Sequence, residues 1–69
     1  MPLTLTKPGG EASIKKVGGR EETRQFLSKL GFVPGARVTI ITEISGNVIV
    51  GIRESRVAIS REMAAKIMV

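Results

Sequence analysis

The side chains that most often do chemistry near neutral pH are missing from this sequence. Its 69 residues include no histidine, no cysteine and no aspartate. That removes the usual general base and the usual transition-metal ligands. Six glutamates remain, Glu11, Glu21, Glu22, Glu43, Glu54 and Glu62, and no two are spaced like an acid–base pair. Glu21 and Glu22 are neighbours, and neighbours on a helix point apart. In a first helical turn their charge suits the helix dipole instead. A hard-cation site built from glutamates and carbonyls finds no support in this spacing. Ser13, Ser28, Ser45, Ser55 and Ser60 have no histidine to activate them. Ser28-Lys29 offers the members of a Ser–Lys pair, but consecutive helical residues do not face each other. The glycines match neither G-x-x-x-x-G-K-[ST] nor G-x-G-x-x-G; "KPGG" and "VGG" read as turns. Arg20 and Arg24 have the chemistry of arginine fingers acting in trans, yet surface pairing with Glu21 or Glu22 is the simpler reading. These residues describe a protein that binds rather than one that catalyses.

The bulk properties narrow the class. At 69 residues, the chain is read as one domain, residues 1–69. So short a chain buries only about 60% of its unfolded surface, so nearly all its apolar residues are needed in the core. Eleven Lys and Arg against six Glu leave a net charge of +5. A basic balance favours acidic partners, although the only adjacent basic pair is Lys15-Lys16. No signal peptide is visible at "MPLTLTKPGG". The longest apolar run, "VIVGI" at 48–52, suits a strand and falls far short of a bilayer span. Together with the absence of cysteine, this reads as a soluble cytoplasmic protein.

Periodicity gives the elements. "LTL" at 3–5 alternates as a half-buried strand does. "EASIKKV" at 11–17 reads as a second strand with Ala12 and Ile14 on one face and an irregular exit, Val17 being out of phase, and Gly18-Gly19 breaks it. "GREETRQFLSKLG" at 19–31 predicts a helix whose Thr23, Phe26, Leu27 and Leu30 form one apolar stripe. Gly31 stands where a left-handed C-terminal residue is wanted. Pro34-Gly35 suits a type II turn, and "ARVTIITEI" at 36–44 predicts a strand with Val38, Ile40, Thr42 and Ile44 on one face. "SGN" is a hairpin turn, "VIVGI" returns, "RESR" turns again, and "VAI" at 57–59 completes a three-stranded meander. Gly51 marks a bulge or a close backbone approach. Ser60 is the N-cap of a last helix, "REMAAKIM" at 61–68. The fold class is mainly β with two short helices, a small and partly open barrel. Phe32 serves as a plug at the barrel end beneath the helix, or lies in a groove for a partner.

"RQFLSKLGFVPGARVTI" at 24–40 resembles the core signature of FeoA proteins, the small cytosolic component of bacterial ferrous iron transport. Arg24, Leu27, Leu30, Gly31, Phe32, Pro34, Gly35 and Val38 carry the match. Outside this core, Leu3, Gly10, "ASI", Ala58-Ile59, Ala65, Ile67 and Val69 extend it over nearly the whole chain. Two features depart from the family: "ISGNVIV" is a short hairpin without the proline and longer loop of many members, and "SREMA" opens the last helix with fewer basic residues. The resemblance implies a small SH3-like β-barrel. It also implies a partner, the FeoB membrane transporter with its GTP-binding cytosolic domain, which would hold this chain at the membrane periphery and let it modulate iron uptake. A related domain ends DtxR-type metal-dependent repressors; here no DNA-binding helical domain precedes it, so a stand-alone module is expected.

On this reading the partner surface lies on the first helix and the turn after it: Arg20, Arg24, Leu27, Lys29, Leu30, Phe32 and Pro34. No catalytic residue, cofactor or metal ligand is assigned. A small basic barrel binding nucleic acid is the alternative. Against it stand the absence of Tyr and Trp and the structural look of both Phe, so no specific nucleic acid is expected. A homo-oligomer formed through edge strands or the Ile41–Ile49 face is a third possibility.

Overall fold

Two tight turns organise the centre of the fold. The computed structural model describes all residues, 1–69. Strands β3 (Arg37–Ile44), β4 (Asn47–Ile52) and β5 (Ser55–Ser60) form an antiparallel meander. Ser45 and Gly46 join the first two with φ of 48° and 79°, the left-handed pair that a twist-compatible two-residue hairpin requires. Arg53-Glu54 joins the second pair, with Arg53 at φ 55°. Val38, Val48, Val50, Ile52 and Ile59 face inward in register, for Ile52 pairs with Val38 and Val48 with Ile59. A short strand, β1 (Glu11–Ser13), adds to the outer side of β3 and completes a four-stranded sheet in the order β1-β3-β4-β5.

A second, two-stranded sheet joins β2 (Lys16–Val17) to β6 (Ile67–Met68). The expected strand over 11–17 is therefore two strands, because the chain changes partner in its middle. The Ile14 N–H donates to Ala36 O at 2.8 Å, beside β3, whereas the Lys15 N–H donates to Met68 O at 2.7 Å. Two helices link the sheets along the chain, α1 (Glu21–Lys29) from β2 to β3 and the four-residue α2 (Arg61–Ala64) from β5 to β6. Ser60 caps α2, its hydroxyl accepting from the Met63 N–H at 3.1 Å.

Three expected features are corrected. Leu3–Leu5 is a 3₁₀ turn rather than a strand, with Leu3 buried and Leu5 exposed; three alternating residues fit either form. The last helix stops at Ala64, because Ile67 and Met68 leave it to pair with β2. Ile44 does not share the face of Val38 and Ile40. The pairing slips between Ile40 and Thr42, and an extra residue in one strand reverses the alternation beyond it. Ile44 consequently points outward, 58% exposed. The bulged Ile41 lies over Gly51, where an added Cβ would meet its Cδ1 at 3.4 Å. That is the close approach the glycine signalled.

Twelve buried residues, Phe32 the largest, make one cluster, and none is polar or charged. The strands do not close into a ring. The outer side of β5 has no strand partner, and α1 comes near the strand only toward its ends. Thr23 of α1 shares a shallow cleft with Ser60 at one end of β5. Gly31, just past its other end, packs on Ile52, the partner of Ser55.

Candidate partner-docking site

The expected docking residues lie on α1 and the loop that follows, and local chemistry fixes both. Glu21 and Glu22 stand in the first turn and Lys29 in the last, as the helix dipole favours. The helix ends in a full Schellman motif. The Phe32 N–H reaches Leu27 O at 2.9 Å and the Gly31 N–H reaches Ser28 O at 3.0 Å. Gly31 takes φ 103°, open to a residue without a Cβ. The motif brings Phe32 back over Leu27, and both are fully buried. Next, the Ala36 N–H donates to Val33 O at 3.0 Å across Pro34-Gly35, with Gly35 at φ 90°. Pro at the first central position and a left-handed Gly at the second make a type II turn. The Gly35 N–H ties this turn to Ile14 O at 2.8 Å. The break between helix and strand is thus a rigid corner.

The corner sorts the expected contact residues into two groups. Leu27 and Phe32 are core residues and offer no surface to a partner. Phe32 is the plug, and the groove reading of it is set aside. Arg20, Arg24, Lys29 and Pro34 are exposed, and Leu30 is half-buried. The simple pairing of Arg20 or Arg24 with Glu21 or Glu22 is not formed. The ion pairs join Arg37 to Glu11 at 2.9 Å and Arg61 to Glu43, while Glu21 instead accepts from Gln25 Nε2 at 3.4 Å. Three cations along α1 are therefore free.

Sequence reasoning missed Phe26. Expected in the inward stripe, it stands 47% exposed on the shoulder of α1. The stripe is centred on Leu27, and at 100° per residue Phe26 falls to one side of it. Only Leu27 is fully buried in this helix. Beside Phe26, the outward surface of α1 is a shallow polar face formed by Glu21, Arg24, Gln25, Ser28 and Lys29. No three carboxylates converge anywhere in the molecule to hold a metal ion, and no helix is long and apolar enough to cross a membrane.

A half-exposed aromatic and three unpaired cations thus share a short helix braced by a Leu-Gly-Phe corner. The FeoA domain model matches residues 1–69. The chain belongs to the FeoA family. It is 35% identical over 68 residues to the Fe(2+) transport protein A of Methanocaldococcus jannaschii, covering 99% of this chain and 83% of that relative. A crystal structure of the iron uptake regulatory protein FeoA superposes with a TM-score of 0.88 at 25% identity, over 97% of this chain and 91% of the other. The zinc-complexed FeoA of Stenotrophomonas maltophilia, a prokaryotic SH3 domain protein, superposes at 0.85 with 20% identity, over 99% and 87%. The SH3-like class is thus shared, with the sheet left open here. FeoA proteins are accessory proteins of ferrous iron transport.

Proposed function

We propose that this FeoA protein docks onto the cytosolic part of a FeoB-like membrane transporter, beside its GTP-binding domain, and modulates ferrous iron uptake without catalysing a reaction. Contact runs along the outward side of α1 and onto Pro34. Phe26 carries this reading, because a half-exposed aromatic one turn from the free Lys29 is the composition of an interface anchor. Arg20, Arg24 and Lys29 meet acidic groups at its rim. Leu30 borders the contact, and Leu27 and Phe32 support it from the core by fixing the angle of α1.

The test is an NMR titration of the labelled chain with the cytosolic portion of the transporter, with and without guanine nucleotide, at near-physiological salt. Shifts confined to residues 20–35 are expected. Phe26→Ala should weaken binding at least roughly tenfold, as loss of an anchor of about 2 kcal/mol does. Absence of shifts in the unsubstituted chain would overturn the proposal.

A further inference from the structure

The excess positive charge is concentrated at one end of the molecule. Lys15, Lys16, Arg20 and Lys66 lie in segments 12–20 and 63–69, whose one carboxylate is the terminal group of Val69; Glu62, just outside them, shares a shallow cleft with Lys66. Without these four, seven cations face six glutamates, a difference of only one. The ladder of β2 and β6 brings them together across the whole length of the chain. Lys16 pairs with Met68, and the Gly18 N–H donates to Lys66 O at 2.7 Å. Val17 and Ile67 take the core side of this ladder, so by alternation Lys16, Lys66 and Met68 take the outer side. The stem of Lys66 runs past Gly19, its Cγ 3.5 Å from where a Cβ would stand, next to Arg20. None of the four has an ion-pair partner.

The same end carries exposed apolar side chains. Pro2 bridges to Met68, and the Val69 N–H donates to Met1 O at 2.7 Å, so the first residues extend the ladder. Met1 is 61% exposed, and Leu5, whose N–H bonds to Pro2 O, is 65% exposed. Both stand clear of the surface instead of lining a groove. Flexible cationic stems around projecting Met and Leu suit a deformable anionic surface with an apolar interior. A nucleic acid would want an exposed aromatic here for base stacking, and both Phe lie elsewhere, Phe26 on α1 and Phe32 in the core.

We propose that this ladder end is a membrane-surface contact. Lys15, Lys16 and Lys66 reach the phosphates of an anionic leaflet, and Met1 and Leu5 enter the headgroup boundary. The contact goes beyond docking through α1 and needs no protein partner.

Co-sedimentation of the chain alone with phosphatidylcholine vesicles containing about one third phosphatidylglycerol tests it. Binding is expected to these vesicles, to fade in high salt, and to be absent with phosphatidylcholine alone. Each basic side chain near such a surface contributes roughly fivefold. The exposed triple substitution Lys15→Gln, Lys16→Gln, Lys66→Gln should therefore lower partitioning about a hundredfold. Leu5→Ser should lower it severalfold, and Arg53→Gln with Arg56→Gln should leave it unchanged. The proposal is overturned if the unsubstituted chain stays in solution, if pure phosphatidylcholine captures it equally, or if the triple variant still sediments. Saturable shifts of the Lys15, Lys16 and Lys66 signals with inorganic phosphate alone would reassign the end to a free anion. Tighter binding to an oligonucleotide would reassign it to nucleic acid. None of these outcomes touches the α1 interface, whose test requires the transporter.

Discussion

The β3–β4–β5 meander and α1 are held in place by very different means. Val38, Ile40, Val48, Val50, Ile52 and Ile59 are all buried on the inner side of the meander, and ladders join its strands, unbroken between β4 and β5 and interrupted between β3 and β4 only by the bulge at Ile41. Helix α1 has nine residues and one fully buried side chain, Leu27. Its first turn lacks even a side-chain cap, whereas α2 has Ser60. The meander is the platform, and α1 is attached at its C-terminal corner by Leu27, Gly31 and Phe32. A docking element on a small domain can have this form, because local opening free energies range from near zero up to the global value.

The largest test of the contrast is Phe32→Ala. Phe32 is the bulkiest buried side chain and belongs to the core cluster that both regions share. Truncating a buried Phe costs about 3–5 kcal/mol. A domain of this size has roughly 3–10 kcal/mol in all. Urea unfolding should show a folded state at or near its limit of stability, with the meander and α1 lost together. A loss below about 1 kcal/mol would mean that Phe32 does not fill the end of the core.

Leu27→Ala separates the two regions. The truncation costs about 2–5 kcal/mol, but Leu27 is the sole deep anchor of α1. Hydrogen exchange should show the α1 amides losing most of their protection while those of β3, β4 and β5 keep the largest share of theirs. Uniform loss would make α1 part of one cooperative unit with the meander and end the distinction.

The same contrast governed what could be read in the sequence. The meander was legible because β-branched runs and two-residue turns are local signals, and the corner was legible because Gly31 and Pro34-Gly35 have narrow conformational meanings. The slip at Ile41 was not, since nothing in a β-branched run shows where one residue will be left unpaired; only Gly51 on the partner strand hinted at it. The pairing of Lys16–Val17 with Ile67–Met68 joins residues some fifty positions apart, so "KIM" read as helix. On α1 and the corner after it, Arg20, Arg24, Lys29 and Pro34 are expected on the surface and are there. Phe26 was misplaced because an apolar stripe reveals which side of a helix turns inward but not how deeply the helix sits. With one leucine as its keel, α1 sits high and leaves its shoulder in water.

The smallest effect would come from Arg20→Ser, which targets the free end of α1. Arg20 already has N-cap geometry, φ −69° and ψ 157°, but its side chain makes no capping bond. Serine in that geometry can accept from the N–H groups of the first turn, and a good cap is worth about 1 kcal/mol. That gain should slow exchange at Glu22 and Thr23 roughly fivefold if α1 frays from its N-terminus, as about 1 kcal/mol implies. The amides of Val48 and Val50 should be unaffected, since they open only when the platform does. Equal slowing in both places would show that α1 opens only with the whole fold, and the loose attachment inferred from its single buried residue would be wrong. Slowing restricted to α1 would show a helix whose looseness is local, so that its order can be set by what it meets.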